Sequence, residues 1–286
     1  MSGYRFCRTD DIPLLVEAYN SCWLPHCPGE SPLTLDRMKR IVRELSLWAS
    51  SSMLALEGDR PVGCLLGAKR DEAHLVYRVA MLPGHERRGH GRHLLASLAQ
   101  KVAILGPPRL LAEVPADREG ACRFLERCGF EAEARYADFA LAESLGQPEA
   151  EAMAAIAPAT FDELVESGAL KQASPCSWER SLASLTNRKR YLEGAAVASD
   201  VRIEAYLLHR LDEVTGACEI VALGAASESP GRELLALIIR RLRQRETRAI
   251  RIPKISEAEI RFATLRSLGF RIEREWVGYA LDARAR

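Results

Sequence analysis

The sequence predicts two tandem copies of an α/β domain built on a mixed sheet, and three observations lead there. The first is size and composition: 286 residues, 48% hydrophobic and 28% charged, are globular and long enough for two cores of ordinary domain size. The second is internal similarity. A shift of 140 residues lays Gly91-Arg92-His93-Leu94-Leu95-Ala96 on Gly231-Arg232-Glu233-Leu234-Leu235-Ala236, and Gly129-Phe130, Glu133, Tyr136, Phe139 and Leu141 on Gly269-Phe270, Glu273, Trp276, Tyr279 and Leu281. The third is element order, in which a hairpin comes first and a βαβ crossover later, so the sheet must mix antiparallel and parallel pairs.

The elements of the first copy follow from turns and periodicity. Residues 4–8 read as a short strand, and Asp10-Asp11-Ile12-Pro13 as the cap and first turn of a helix reaching about residue 22. Leu35, Met38, Ile41, Val42 and Leu45 mark one face of an amphipathic helix. Gly58-Asp59 joins strands at 53–57 and 62–68 into a hairpin. An apolar strand at 75–82 leads through a glycine-containing turn to a helix at 91–105. After Gly106-Pro107-Pro108 come a strand at 110–114, a helix at 118–128 ended by Gly129, and terminal strands at 131–141.

Residues 146–158, rich in Ala, Glu and Pro, read as a linker between a domain at 1–145 and a second at 159–286. Thr160-Phe161-Asp162-Glu163 is a capping box, Ser177-Trp178-Glu179 a second helix start, and 195–198 with 201–210 a second hairpin.

The stretch 83–95 carries the chemistry. It joins a strand to a helix through Gly89 and Gly91, with Arg87, Arg88 and Arg92 beside them. The first N–H groups of a helix have no internal partner and sit at the positive end of its dipole, so such a junction suits an anion. It is neither a dinucleotide fingerprint, because position 94 is Leu, nor a Walker loop, because no Gly-Lys-Ser/Thr follows. In the second copy Ser227-Glu228 replaces Arg87-Arg88 and Ser229-Pro230-Gly231 replaces Gly89-His90-Gly91. That removes a donor and adds a repelling charge.

Arg-x-Gly-x-Gly after a strand resembles the pyrophosphate motif of the GCN5-related N-acetyltransferases, over residues 4–141 closely and 159–281 distantly. The resemblance implies acetyl-CoA as acyl donor, with Ala80 and Met81 pairing with pantetheine and Arg87, Arg88, Gly89, His90, Gly91 and Arg92 around the pyrophosphate. It implies transfer of acetyl to a primary amine of a small molecule or peptide by the first copy, the second being a degenerate acetyltransferase-like domain. The chain departs from the family pattern at Glu86, where Arg or Gln is usual, and at Leu125, where the family has a tyrosine acid.

An amine must be neutral to attack a thioester, so a carboxylate base is expected. Glu113 resembles the strand-five glutamate that serves ribosomal-protein acetyltransferases as base, with Glu72 and His74 as alternatives. The oxyanion falls to backbone N–H groups of the fourth strand, and Trp23 and Trp48 stand near the acceptor side. The alternative reading, suggested by Glu86, Leu125 and the decayed repeat, is a non-catalytic CoA-binding or regulatory protein.

Other classes are disfavoured. A net charge of +1 argues against nucleic-acid binding, and no apolar run spans a membrane, so a cytoplasmic protein is expected. His85, His90 and His93 lack a ligand pattern, so no metal is expected, and eight scattered cysteines read as reduced. A homodimer is left open.

Overall fold

The computed structural model describes residues 2–141, 156–212, 215–227, 230–245 and 249–285. The chain divides into two compact units, Met1–Ala134 with Val277–Arg286, and Arg135–Trp276.

In the first unit, β1 (Ser2–Phe6), β2 (Met53–Glu57), β3 (Arg60–Lys69) and β4 (His74–Met81) pair antiparallel in that order. Strand β5 (Arg109–Pro115) then joins β4 in parallel. The sheet is completed beside β5 by the end of β12 (Phe270–Asp282), and the Ala283 N–H donates to the Pro108 carbonyl at 2.9 Å. The helices are α1 (Ile12–Ala18), α2 (Leu35–Leu45), α3 (His90–Leu105) and α4 (Glu119–Arg127). Helix α3 buries Leu94, Leu95, Leu98 and Val102 against Leu65, Val76, Leu110, Ala112 and the β12 residues Val277, Tyr279 and Leu281. Burying such side chains contributes about 1.5–3 kcal/mol each, which anchors the helix whose N-terminus carries the glycine turn.

Two local expectations are corrected. Asp11 stands at the start of α1 but does not cap it, because its carboxylate takes both guanidinium nitrogens of Arg5, at 2.6 and 2.7 Å, and the Arg8 N–H at 2.7 Å. The helix reaches residue 23 as expected, but beyond Ala18 it does so as a π-turn (Tyr19–Trp23) instead of an α-helix.

In the second unit the sheet runs β6 (Glu131–Leu141), β11 (Ile250–Ile255), β10 (Cys218–Ala225), β9 (Ile203–Leu211), β8 (Glu193–Ala198) and β7 (Ala157–Pro158). Its helices are α5 (Phe161–Glu166), α6 (Leu182–Arg188), α7 (Pro230–Arg245) and α8 (Phe262–Ser267). The capping box on Thr160 and Glu163 forms as its residues predict. The start at Ser177 is realised only as a 3₁₀ turn (Trp178–Arg180), and α6 begins later behind the Ser181 cap. Helix α7 buries Leu235, Ile238, Ile239 and Leu242 on the same kind of sheet face as α3.

Phe139 and Tyr279, equivalent in the two repeats, lie in the cores of opposite units: Phe139 in the second and Tyr279 in the first. Each repeat's terminal strand therefore serves the other unit's sheet. Most of the segment read as a linker, 146–155, lies outside the described residues; Ala157 and Pro158 pair with Ala196 and Ala195.

Candidate functional site

Strands β4 and β5 pair only over His74–Val76 and Leu110–Ala112, although β4 continues to Met81 and β5 to Pro115. Beyond Val76 they part. On its other side β4 carries a bulge: Arg78 pairs with Leu66 and Val76 with Gly67, leaving Tyr77 as the extra residue. A bulge re-aims the side chains and backbone that follow it, and Tyr77, Arg78 and Val79 are half-buried where the rest of the strand is buried.

The glycine turn stands at the end of β4. Gly89, at φ 87°, caps α3, and the first intrahelical bond in that turn runs from the His93 N–H to the Gly89 carbonyl at 3.0 Å. The N–H groups of His90, Gly91 and Arg92 thus belong to the first turn, where a helix offers no acceptor. A Cβ at Gly89 would meet nothing within 4 Å, while one at Gly91 would come within 3.2 Å of the Phe124 ring. Gly89 therefore keeps the approach clear, and Gly91 lets α3 pack on α4. Arg87, Arg88 and Arg92 are exposed around the turn. His90 is buried, its Nδ1 2.7 Å from the Tyr4 hydroxyl, so its side chain serves the fold and only its backbone faces the turn.

Glu86, which breaks the family pattern, folds back on its own loop. Its carboxylate accepts the Gly84 N–H at 2.6 Å, and that bond together with its own backbone N–H holds its pKa below the ordinary carboxylate range. The charge organises the loop instead of standing at the helix N-terminus.

Glu113 lies half-buried on β5, past the point where the strands part. Leu110 and Ala112 point into the α3 core, and the period-two alternation puts Glu113 on the opposite face, towards α1 and α2. His74 and Glu72 lie elsewhere. His74 is buried at the paired end of β4 with Nδ1 3.2 Å from the Pro107 carbonyl, and burial lowers its pKa; Glu72 is exposed in the turn before the strand. The fold thus brings Ala80, Met81, Glu113 and the glycine turn to one end of the sheet, and leaves His74 and Glu72 at the other.

Of the neighbours here, the sequence reading places Trp23 on the acceptor side, and the others escape it. The His26 ring donates from Nε2 to the Met81 carbonyl at 2.9 Å and stands 3.7 Å from Glu86. The Arg78 guanidinium covers the rings of Trp23 and Tyr77, at 4.7 and 4.2 Å. Glu30 accepts from both the Tyr19 hydroxyl, at 2.6 Å, and the Trp23 indole, at 3.0 Å. The π-turn aims Tyr19 and Trp23 at Glu30, a register that no local pattern announces. Trp48 is 54% exposed and takes no part in this group. Leu125 is core. The tyrosine that reaches α4 is Tyr279, whose hydroxyl donates to Glu126 at 3.0 Å and whose pKa burial pushes upward.

Residues 12–130 match the model of the acetyltransferase (GNAT) family. The first unit is a GNAT domain. Solved structures extend the likeness to the whole chain as a fold. A GCN5-related N-acetyltransferase from Sphaerobacter thermophilus matches at 17% identity and TM-score 0.68, covering 99% of this chain and 96% of that one. A tandem GNAT protein from the clavulanic acid biosynthesis pathway matches at 16% identity and TM-score 0.66, covering 99% of each. No curated protein matches the chain in sequence. The chain is a mixed α/β protein with the fold of a tandem GNAT protein.

The second unit repeats the scaffold without the openings. Strands β10 and β11 pair over Cys218–Glu219 and Ile250–Arg251 and then part. Here Arg180 bridges them: its Nη1 donates to the Ile220 and Pro253 carbonyls at 3.0 and 3.3 Å, and its Nε to Glu259 at 2.7 Å. By strand pairing and bulge position, Ile220 corresponds to Val76, the last β4 residue paired with β5, and Pro253 to Glu113. At the start of α7 the Ser227 hydroxyl accepts the Gly231 N–H at 3.1 Å, and a Cβ at Gly231 would lie 2.8 Å from that of Ala225. Glu228 and Ser229, read as replacing the live loop, lie outside the described residues.

Among the described residues no cluster of three His, Cys, Asp or Glu is placed to hold a metal, and no helix is long and apolar enough to cross a membrane.

Proposed function

We propose that the first unit binds one acetyl-CoA per chain and acetylates a primary amine of a small molecule or peptide, the second unit being a degenerate copy. The observation that carries this reading is the coincidence of parted β4 and β5 strands with an uncapped, arginine-flanked helix N-terminus at the end of β4. The residues fit the donor: Gly89 leaves room for a pyrophosphate on the N–H groups of Gly89, His90, Gly91 and Arg92, with Arg87 and Arg88 adding charge. Ala80 and Met81 offer backbone groups to the pantetheine, His26 releasing the Met81 carbonyl.

The thioester supplies the acetyl group. Glu113 takes a proton from the acceptor ammonium, directly or through a water, leaving the amine lone pair free to attack. Backbone N–H groups of β4 past the bulge stabilise negative charge on the carbonyl oxygen. The thiolate departs without a tyrosine on α4 to protonate it, since Leu125 is buried there.

Calorimetric titration with acetyl-CoA tests the reading. One site per chain is expected, abolished by Gly89→Trp and kept in Arg232→Glu, the equivalent of Arg92 in the second unit. Two sites, or a site lost only with Arg232, would refute it. Binding without CoA release over a broad amine panel would make the chain a CoA-binding module.

A further inference from the structure

The second unit contains a cavity of about 520 Å³, within the size range of small-molecule sites. It lies between the turn that follows α5, the start of β9 and the end of β10, on the sheet face opposite α7. Leu170, Leu185, Tyr206 and Ala222 give it an apolar body.

Its charges do not cancel. Arg202 is paired with Glu204 at 3.0 Å and Arg180 with Glu259 at 2.7 Å. Lys171, exposed on the wall, has no carboxylate within 4 Å among the described residues. Arg180, its side chain only 1% exposed, spends its charge on Glu259 and the strand carbonyls. An apolar cavity with one uncompensated cation on its wall selects a ligand that brings an apolar body and one negative charge. Acetyl-CoA does not meet this description, because Arg180 holds the strand gap and Ser227 caps the helix turn on which its pantetheine and pyrophosphate would lie.

We propose that this cavity is a binding site for a small carboxylate with an apolar body, independent of acetyl transfer in the first unit. Calorimetry on the full chain decides it, using hexanoate, 4-phenylbutyrate and N-acetyl-leucine, each beside its primary amide. At least one carboxylate is expected to bind once per chain, roughly tenfold or more tighter than its amide. Lys171→Glu is expected to remove that preference, and Ala173→Trp, at the cavity wall, to abolish binding, while saturating acetyl-CoA leaves it unchanged. No binding of any of the three up to about 10 mM, equal affinity for acid and amide, indifference to Lys171→Glu, or displacement by acetyl-CoA would each overturn the proposal. Because the readout is direct binding, its failure leaves the reading of the first unit standing, and the reverse.

Discussion

The two units share a scaffold and differ in what their polar groups do. Leu95, Leu98 and Val102 on α3 have buried counterparts in Leu235, Ile238 and Leu242 on α7, and in both units the parallel pair of central strands separates after two or three residues. In the first unit the strands part beyond Val76 and the adjoining helix starts without a side-chain cap. The second fills both from its own chain, with Arg180 between Ile220 and Pro253 and Ser227 on Gly231. Buried backbone groups must be hydrogen-bonded by something. On the proposed reading, a repeat that gives up a ligand has to supply donors and acceptors itself, and the second unit does so with a buried arginine and a self-capped helix while its core stays intact.

The sharpest test of this contrast is the base. Glu113→Gln is expected to lower kcat by about 10²- to 10⁴-fold with acetyl-CoA affinity near wild type. The equivalent change in the second unit, Pro253→Ala, should leave turnover unchanged in a steady-state assay. Normal turnover by Glu113→Gln would break the assignment of the live site.

Next in size is the plug. Arg180→Met strands the Glu259 carboxylate and two strand carbonyls, and breaking a buried pair of this kind costs about 3–5 kcal/mol. Urea denaturation should register that loss while acetyl-CoA affinity, measured under native conditions, holds. A loss below about 1 kcal/mol would mean that Arg180 is not the closure of the gap.

Arg87→Ala with Arg88→Ala removes two exposed charges and is expected to weaken acetyl-CoA by roughly tenfold, with little effect on pantetheine fragments lacking the pyrophosphate. Arg232→Ala should change neither. Equal losses for both ligands would make the two arginines structural.

The smallest effect is in pH. The Arg5 fork holds the Asp11 carboxyl at about 2, so its contribution to stability is complete above the ordinary carboxylate value and is lost as pH falls from there towards 2. Asp138, in the second unit, is shifted the other way: burial raises its pKa against the hydrogen bonds from Trp276 and Lys254, so ionising it costs stability as pH rises. Asp11→Asn should flatten the acid limb of a stability-against-pH curve, and Asp138→Asn should remove a penalty on its neutral side.

Much of this was readable in one dimension. The repeat, the helix faces, the hairpin at Gly58, the end of α4 at Gly129 and the glycine turn before α3 all depend on residues within a few positions of each other, and the structure has each of them. Glu113 could be singled out because a charged residue between apolar strand neighbours is itself a local signal. His26 and Glu30 could not, since their roles rest on a π-turn and on contacts with β4 more than fifty residues away in the case of His26.

The sequence by itself determined the fold class, the duplication and the place of the glycine turn before α3. Periodicity, capping and glycine conformation act over one or two turns of chain, so their causes lie next to their effects. Tertiary structure alone decided that Asp11 would serve Arg5 instead of its helix, that Arg180 would close the second strand gap, and that the terminal strands would each complete the other repeat's sheet. Those outcomes are choices among partners far apart in sequence. For the strands the two repeats carry the same alternating pattern around Phe139 and Tyr279, so either sheet presents a matching edge, and which pairing wins is set by packing that no local pattern records.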